Sequence, residues 1–136
     1  MPRPSRSALI VGDSALLRRY SAASLEGIGI TCTEASNGHQ AMERPGETPF
    51  ALYVIDLDMP PSDGLATFAV TLFGGGRDPT PRVIGYSVRP AGEALSSPWP
   101  RDAGLAALLP KPFHPAELIA AVQLAFAEQP ADPSDL

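Results

Sequence analysis

The chain has 136 residues, 44% hydrophobic and 18% charged, which suffices for one domain with a buried core and excludes a disordered chain. A formal net charge of −5 excludes a domain that grips a nucleic-acid backbone by charge alone. The single cysteine, Cys32, excludes an intrachain disulfide or a cysteine-rich metal site, and its apolar neighbours assign it to a strand or the core.

Ala8 to Val11 is a continuous apolar run, the pattern of a strand covered on both faces. Gly12-Asp13-Ser14 stops it, with Asp13 a candidate helix N-cap. A helical segment follows through Leu16, Leu17, Tyr20, Leu25 and Ile28, closed by Gly27 and Gly29. Thr31 to Ala35 is a threonine-rich strand. Asn37-Gly38 makes a turn, and a brief helix through Ala41 and Met42 ends near Pro45. Ala51 to Ile55 is a buried strand stopped by Asp56. Beyond Pro60 and Pro61, Asp63 can cap a helix with Leu65, Phe68, Ala69 and Leu72 on its apolar face, ended by Gly74-Gly75-Gly76.

Arg82 to Tyr86 and Ala106 to Leu109 read as the fourth and fifth strands. Pro90, Pro98 and Pro100 cross the stretch between them, so the fourth helical slot is short or irregular, a turn or two around Gly92 to Ser96. Trp99 there is a candidate partner anchor, weighed against a ring folded onto its own loop. The last helix opens at Pro115 with Glu117 near its start and Leu118, Ile119, Val122 and Phe126 inward. Residues 1–127 are expected to form one domain, and 128–136, EQPADPSDL, a flexible tail or the start of a linker. No apolar run is long enough to span a bilayer. The opening MPRPSRSALIVGDS carries no signal-peptide core, so a cytoplasmic location is the expectation.

Strands and helices alternating at this spacing predict an α/β fold, a doubly wound five-stranded parallel sheet with helices on both faces. In such sheets polar chemistry collects beyond the carboxyl ends of the strands. There the sequence places Asp13, Asp56, Ser87 and Lys111. Two carboxylates suit a hard divalent ion such as Mg2+. A hydroxyl and an ammonium suit phosphoryl oxygens. Together they describe a carboxylate nucleophile that takes a phosphoryl group. Singly each has a plainer reading: Asp56 as a loop cap, Lys111 as a solvated surface lysine, Ser87 as no signal at all. His39 reads as a solvated turn residue and His114 as a helix N-terminal residue. No GxxxxGK loop, Rossmann glycine pattern or metal-spaced histidine pair is present, so no small-molecule enzyme is indicated.

ALIVGDSALLRRY, VIDLDMPPSDG, VIGYS and LLPKPF, in this order, resemble the four signature segments of CheY-like receiver domains of two-component response regulators. The resemblance runs from about Ser7 to Ala127. It implies a flavodoxin-like sheet of order 2-1-3-4-5, in which the fifth strand is an edge that tolerates Pro110. It implies Asp56 as phosphoacceptor, Ser87 as switch hydroxyl and Lys111 as partner of the phosphoryl oxygens. Mg2+ would be held by Asp13, the Asp56 carboxylate and the backbone carbonyl of Asp58. The Lys111-Pro112 bond is often cis in such domains.

The implied partners are a histidine kinase or phosphotransfer protein, and a downstream protein or a second copy through the 88–127 face. Neither nucleic acid nor membrane is implied, and the only chemistry is the domain's own phosphorylation and dephosphorylation.

The chain departs from that pattern at named positions. Gly12 stands where an acid is usual, Leu108 where a Tyr or Phe is usual, and Val88 where a smaller residue is frequent. Asp58 brings an extra carboxylate two residues past Asp56, expected to compensate in part for Gly12. Gly12, Leu108 and the broken fourth helix keep open a phosphorylation-independent interaction or dimerisation module. A flavodoxin-like ligand-binding domain is a remoter alternative.

Overall fold

Side-chain alternation in the first strand already divides the protein into layers. In β1 (Arg6–Val11), Leu9 and Val11 join one core cluster while Ala8 and Ile10 join another on the opposite face. The computed structural model describes residues 6–43, 50–59, 64–73, 82–89 and 105–127. After β1 come α1 (Ala15–Glu26), β2 (Ile30–Ala35), α2 (Gly38–Glu43), β3 (Leu52–Asp56), α3 (Leu65–Phe73), β4 (Val83–Ser87), β5 (Ala107–Pro110) and α4 (Pro115–Ala127). The five strands are parallel in the order β2-β1-β3-β4-β5, as the resemblance implied.

Ala41 of α2 and Phe68, Ala69 and Leu72 of α3 pack with Leu9, Tyr53, Ile55 and Val83 on one face of the sheet. Ala22 and Leu25 of α1 and Leu118, Ala121 and Val122 of α4 pack with Ile10, Val54, Ile84 and Tyr86 on the other. Every residue of β3 and β4 is buried, as a central strand covered on both faces requires. Asp63, Gly74 to Gly76, the fourth helical slot with Trp99, and the tail 128–136 lie outside the described residues.

The sequence-based cap and helix faces need three corrections. Ser14, not Asp13, caps α1: its hydroxyl accepts the Leu17 N–H at 3.2 Å, because the helix begins one residue later than Asp13 would require. The apolar residues of α1 do not all face inward, since Leu16 is 81% exposed and the buried positions are Ser21, Ala22 and Leu25. In α4 the helical period brings Ala121 and Ala125 inward with Leu118 and Val122, while Ile119 and Phe126 are only half-buried. His114 does act at the start of α4. Its N–H donates to Glu117 Oε1 at 2.9 Å and its Nδ1 accepts the Ala116 N–H at 3.2 Å.

Cys32 lies half-buried in the edge strand β2, where burial and the nearby Glu26 and Glu34 push its thiol up to about 11. At pH 8 only about a thousandth of it is thiolate, so iodoacetamide alkylation should run roughly a hundredfold slower than for a free thiol. The rate should climb as pH rises toward 11. Native-state labelling at several pH values checks this, and rapid alkylation at pH 8 would contradict it.

No helix among the described residues is long and apolar enough to cross a membrane.

Candidate functional site

The alternation that builds the core also builds the site. Ile10, Val54 and Ile84 belong to the α1/α4 face, so Gly12, Asp56 and Tyr86, each two residues further on, share that face at the carboxyl ends of their strands. Asp56 ends β3 and is 1% exposed. Its Oδ1 accepts the Asp58 N–H at 2.8 Å, and its Oδ2 stands 2.9 Å from Lys111 Nζ. Burial pushes the Asp56 carboxyl up, against the opposing pull of those two donors. For Lys111 burial works against the charge, but Asp56 and Asp58 outweigh it and hold the ammonium above its usual range. The Lys111-Pro112 peptide bond that follows is cis.

Ser87 ends β4 and is buried. Its hydroxyl donates to Asp58 Oδ1 at 2.5 Å. Asp58 Oδ2 accepts the Val88 N–H at 2.9 Å and lies 3.2 Å from Lys111 Nζ. Arg89 Nε reaches Asp58 Oδ1 at 3.3 Å, and its Nη2 donates to the Leu57 carbonyl at 2.9 Å. Burial disfavours the charged form of Asp58, yet the bonds from Ser87, Val88 and Lys111 outweigh it and hold its carboxyl below the usual range. Asp13 is exposed at the end of β1.

The structure therefore brings Asp56, Ser87, Lys111 and Asp58 into direct contact and leaves Asp13 at the rim. Among the described residues no three His, Cys, Asp or Glu side chains stand close enough to hold an ion by themselves.

Three participants were not read from the sequence. Tyr86 reaches from β4 across β3 toward Gly12: a Cβ on Gly12 would stand 2.9 Å from the Tyr86 hydroxyl and 3.3 Å from Asp56 Cβ. The Tyr86 ring lies under Lys111, whose Nζ is 5.3 Å from its centroid, and against Phe113 at 5.4 Å between centroids. Its hydroxyl is buried, has no hydrogen-bond partner among the described residues, and is kept protonated by burial and by the nearby Asp56 and Asp13. Arg18 donates to the Gly12 carbonyl at 2.6 Å and pairs with Glu34 at 3.1 Å, fixing the end of β1 to β2. Arg89 is the third. A tyrosine in a buried strand segment carries no signal of where its hydroxyl goes, and two arginines in polar stretches read as solvated.

Leu108 packs partly against the α2/α3-face core opposite Gly85. His39 is exposed.

The profile described as Response regulator receiver domain matches residues 8–123. The chain belongs to the response regulator receiver domain family. This receiver domain is 36% identical over 115 residues to the response regulator receiver protein CpdR of Brucella abortus (strain 2308), covering 82% of this chain and 88% of CpdR. Its fold superimposes on the chemotaxis response regulator CheY4 of Vibrio cholerae with a TM-score of 0.74 at 22% identity, over 90% of this chain and 99% of CheY4. A putative response regulator from Chloroflexus aurantiacus J-10-fl gives a TM-score of 0.77 at 21% identity, over 92% and 100%. Receiver domains serve two-component signalling, and as a family they are generally Mg2+-dependent.

Proposed function

We propose that this receiver domain accepts a phosphoryl group on Asp56 from a histidine kinase or a phosphotransfer protein. The observation that carries the reading is the buried Asp56 carboxylate with Lys111 Nζ 2.9 Å from its Oδ2, and with Ser87 tied through Asp58 to the same lysine. An Asp56 oxygen forms the new P–O bond while the P–N bond to the donor imidazole breaks, and the released imidazole takes a proton from water. Lys111 neutralises charge on the equatorial oxygens, and Ser87 donates to one of them.

The oxygen donors here, the Asp13 and Asp56 carboxylates and the Asp58 carbonyl, suit Mg2+, which keeps several waters and needs only one or two carboxylates. Bound there, the ion would offset charge on the incoming phosphoryl group. Gly12 supplies no second acid to that set. In this reading the domain catalyses only its own phosphorylation and dephosphorylation and works as a signalling module in the cytoplasm.

The donor must bring its phosphohistidine to the Asp56 rim. That rim is apolar on the side formed by Leu16, Leu17, Tyr20, Val88, Pro112 and Phe113, with Leu16 81% and Val88 68% exposed. An apolar border around a charged centre suits a protein partner better than a small molecule. Phosphorylation would then bias the 88–127 face toward a downstream protein or a second copy.

A second reading, a phosphorylation-independent interaction module, is favoured by one specific feature. The space beside Asp56 at Gly12 is taken by a neutral phenol instead of an acid.

Incubation with Mg2+ and acetyl phosphate, followed by intact mass, decides between them. A phosphoryl adduct on the native chain that is absent from Asp56→Asn is the expected outcome. No adduct at high Mg2+, with beryllofluoride also failing to bind, would leave the interaction module standing.

A further inference from the structure

A phosphoryl group on Asp56 needs partners for its oxygens. Besides the Asp58 N–H already on Asp56, the donors gathered at this rim through Lys111 and Asp58 include the Ser87 hydroxyl, the Val88 N–H and the Lys111 ammonium. These last three already serve the Asp58 carboxylate, at 2.5, 2.9 and 3.2 Å respectively. Arg89 Nε adds a fourth donor at 3.3 Å. A carboxylate, like a phosphoryl group, presents anionic oxygens that make short, charge-assisted bonds with these donors.

We propose that the Asp58 carboxylate is a built-in occupant of the phosphoryl-oxygen subsite, a competitor that an incoming phosphoryl group must expel. The inference rests on Asp56 being the phosphoacceptor. It has two physical consequences. Ser87, which also accepts the Arg89 N–H at 3.0 Å, is held on an anion before any phosphorylation, so the segment from Ser87 to Arg89 is ordered by charge in the resting state. The affinity for a phosphoryl-like anion is lowered by whatever it costs to pull Asp58 off its donors. The side chain acts separately from the Asp58 backbone carbonyl, which every substitution at this position retains.

The test is a beryllofluoride titration at one fixed Mg2+ concentration, followed through the backbone amide resonances of Ser87 and Val88. It compares the native chain with Asp58→Ala and Asp58→Asn. With no carboxylate to expel, Asp58→Ala should bind beryllofluoride about tenfold tighter, with Asp58→Asn in between. Without beryllofluoride, the Val88 amide of Asp58→Ala should already have moved, because its acceptor is gone.

Equal or weaker binding by a folded Asp58→Ala overturns the proposal and makes Asp58 a bystander or a helper. If Asp58→Ala fails to fold, the near-isosteric Asp58→Asn decides: tighter binding supports the competitor, and equal or weaker binding overturns it. A native chain that labels on Asp56 with no gain from Asp58→Ala removes the competitor alone. No binding and no labelling in any of the three removes the phosphoacceptor reading with it.

Discussion

Gly12→Asp should lower the melting temperature by about 10 °C, and adding Tyr86→Phe should recover most of that loss. The new Cβ would stand 2.9 Å from the Tyr86 hydroxyl and 3.3 Å from Asp56 Cβ, both closer than packed atoms allow without a shift. Neither neighbour yields easily. Tyr86 is buried between Lys111 and Phe113, and Asp56 is held by the Asp58 N–H and Lys111. Overpacking of this kind costs about 1–3 kcal/mol, and a second carboxylate beside buried Asp56 adds like-charge repulsion. Removing the phenol oxygen opens the space that the Cβ needs. Calorimetric melting of the two single variants and the double variant forms the cycle. If Gly12→Asp costs the same whether residue 86 is Tyr or Phe, Gly12 and Tyr86 are not a steric unit. Where the double variant folds, calorimetric titration should show it binding Mg2+ more tightly than the native chain, since it restores an acid without the obstruction.

Lys111→Ala should cut acetyl phosphate labelling of Asp56 by about a hundredfold or more, the scale of a lost electrostatic group at a reacting centre. It should also destabilise the fold by about 2 kcal/mol at neutral pH, below the usual figure for breaking a buried pair because Lys111 remains 19% exposed. The pH dependence has a definite sign. Asp56 is raised, so its charge works against the folded state at neutral pH, and more so without the lysine. Asp58 is lowered, so its contribution exists above the ordinary Asp range and fades as pH falls through its folded value. Both effects make the deficit of Lys111→Ala largest at neutral pH. The Asp56 part shrinks first, as pH falls toward the ordinary Asp range from above, and the Asp58 part shrinks below about 4. Denaturation of both proteins at pH 7 and near pH 3 tests this. A deficit that is unchanged or larger in acid would mean that the lysine contributes by packing rather than by charge.

Most of the frame was legible because it follows from local rules. Apolar runs of strand length, each followed within two positions by a polar residue, place Asp56, Ser87 and Lys111 at the strand ends from the sequence alone. The cap of α1 was misplaced by one residue because Asp13 and Ser14 are both good caps, and only the actual start of the helix chooses between them. Leu16 looked like part of an apolar face, although its position in the first turn of α1 turns it to the rim of the site. The least legible features depend on what lies across the sheet. That Tyr86 crosses β3 to Gly12 follows from strand order and register, neither of which is written in VIGYS. The direction of the Asp58 side chain follows from where Ser87, Val88 and Lys111 arrive, and they come from two other segments of the chain.

Pro110 has a consequence for how copies of this protein can meet. It sits in β5, a strand of only four residues at one border of the sheet, and it carries no N–H. A neighbouring chain trying to extend the sheet there would find a short run of backbone with a donor missing, the kind of border that resists runaway β-aggregation. A sixth strand is thus disfavoured on that side. Any pairing of copies at this end would come from side chains laid against side chains rather than from a continued backbone ladder.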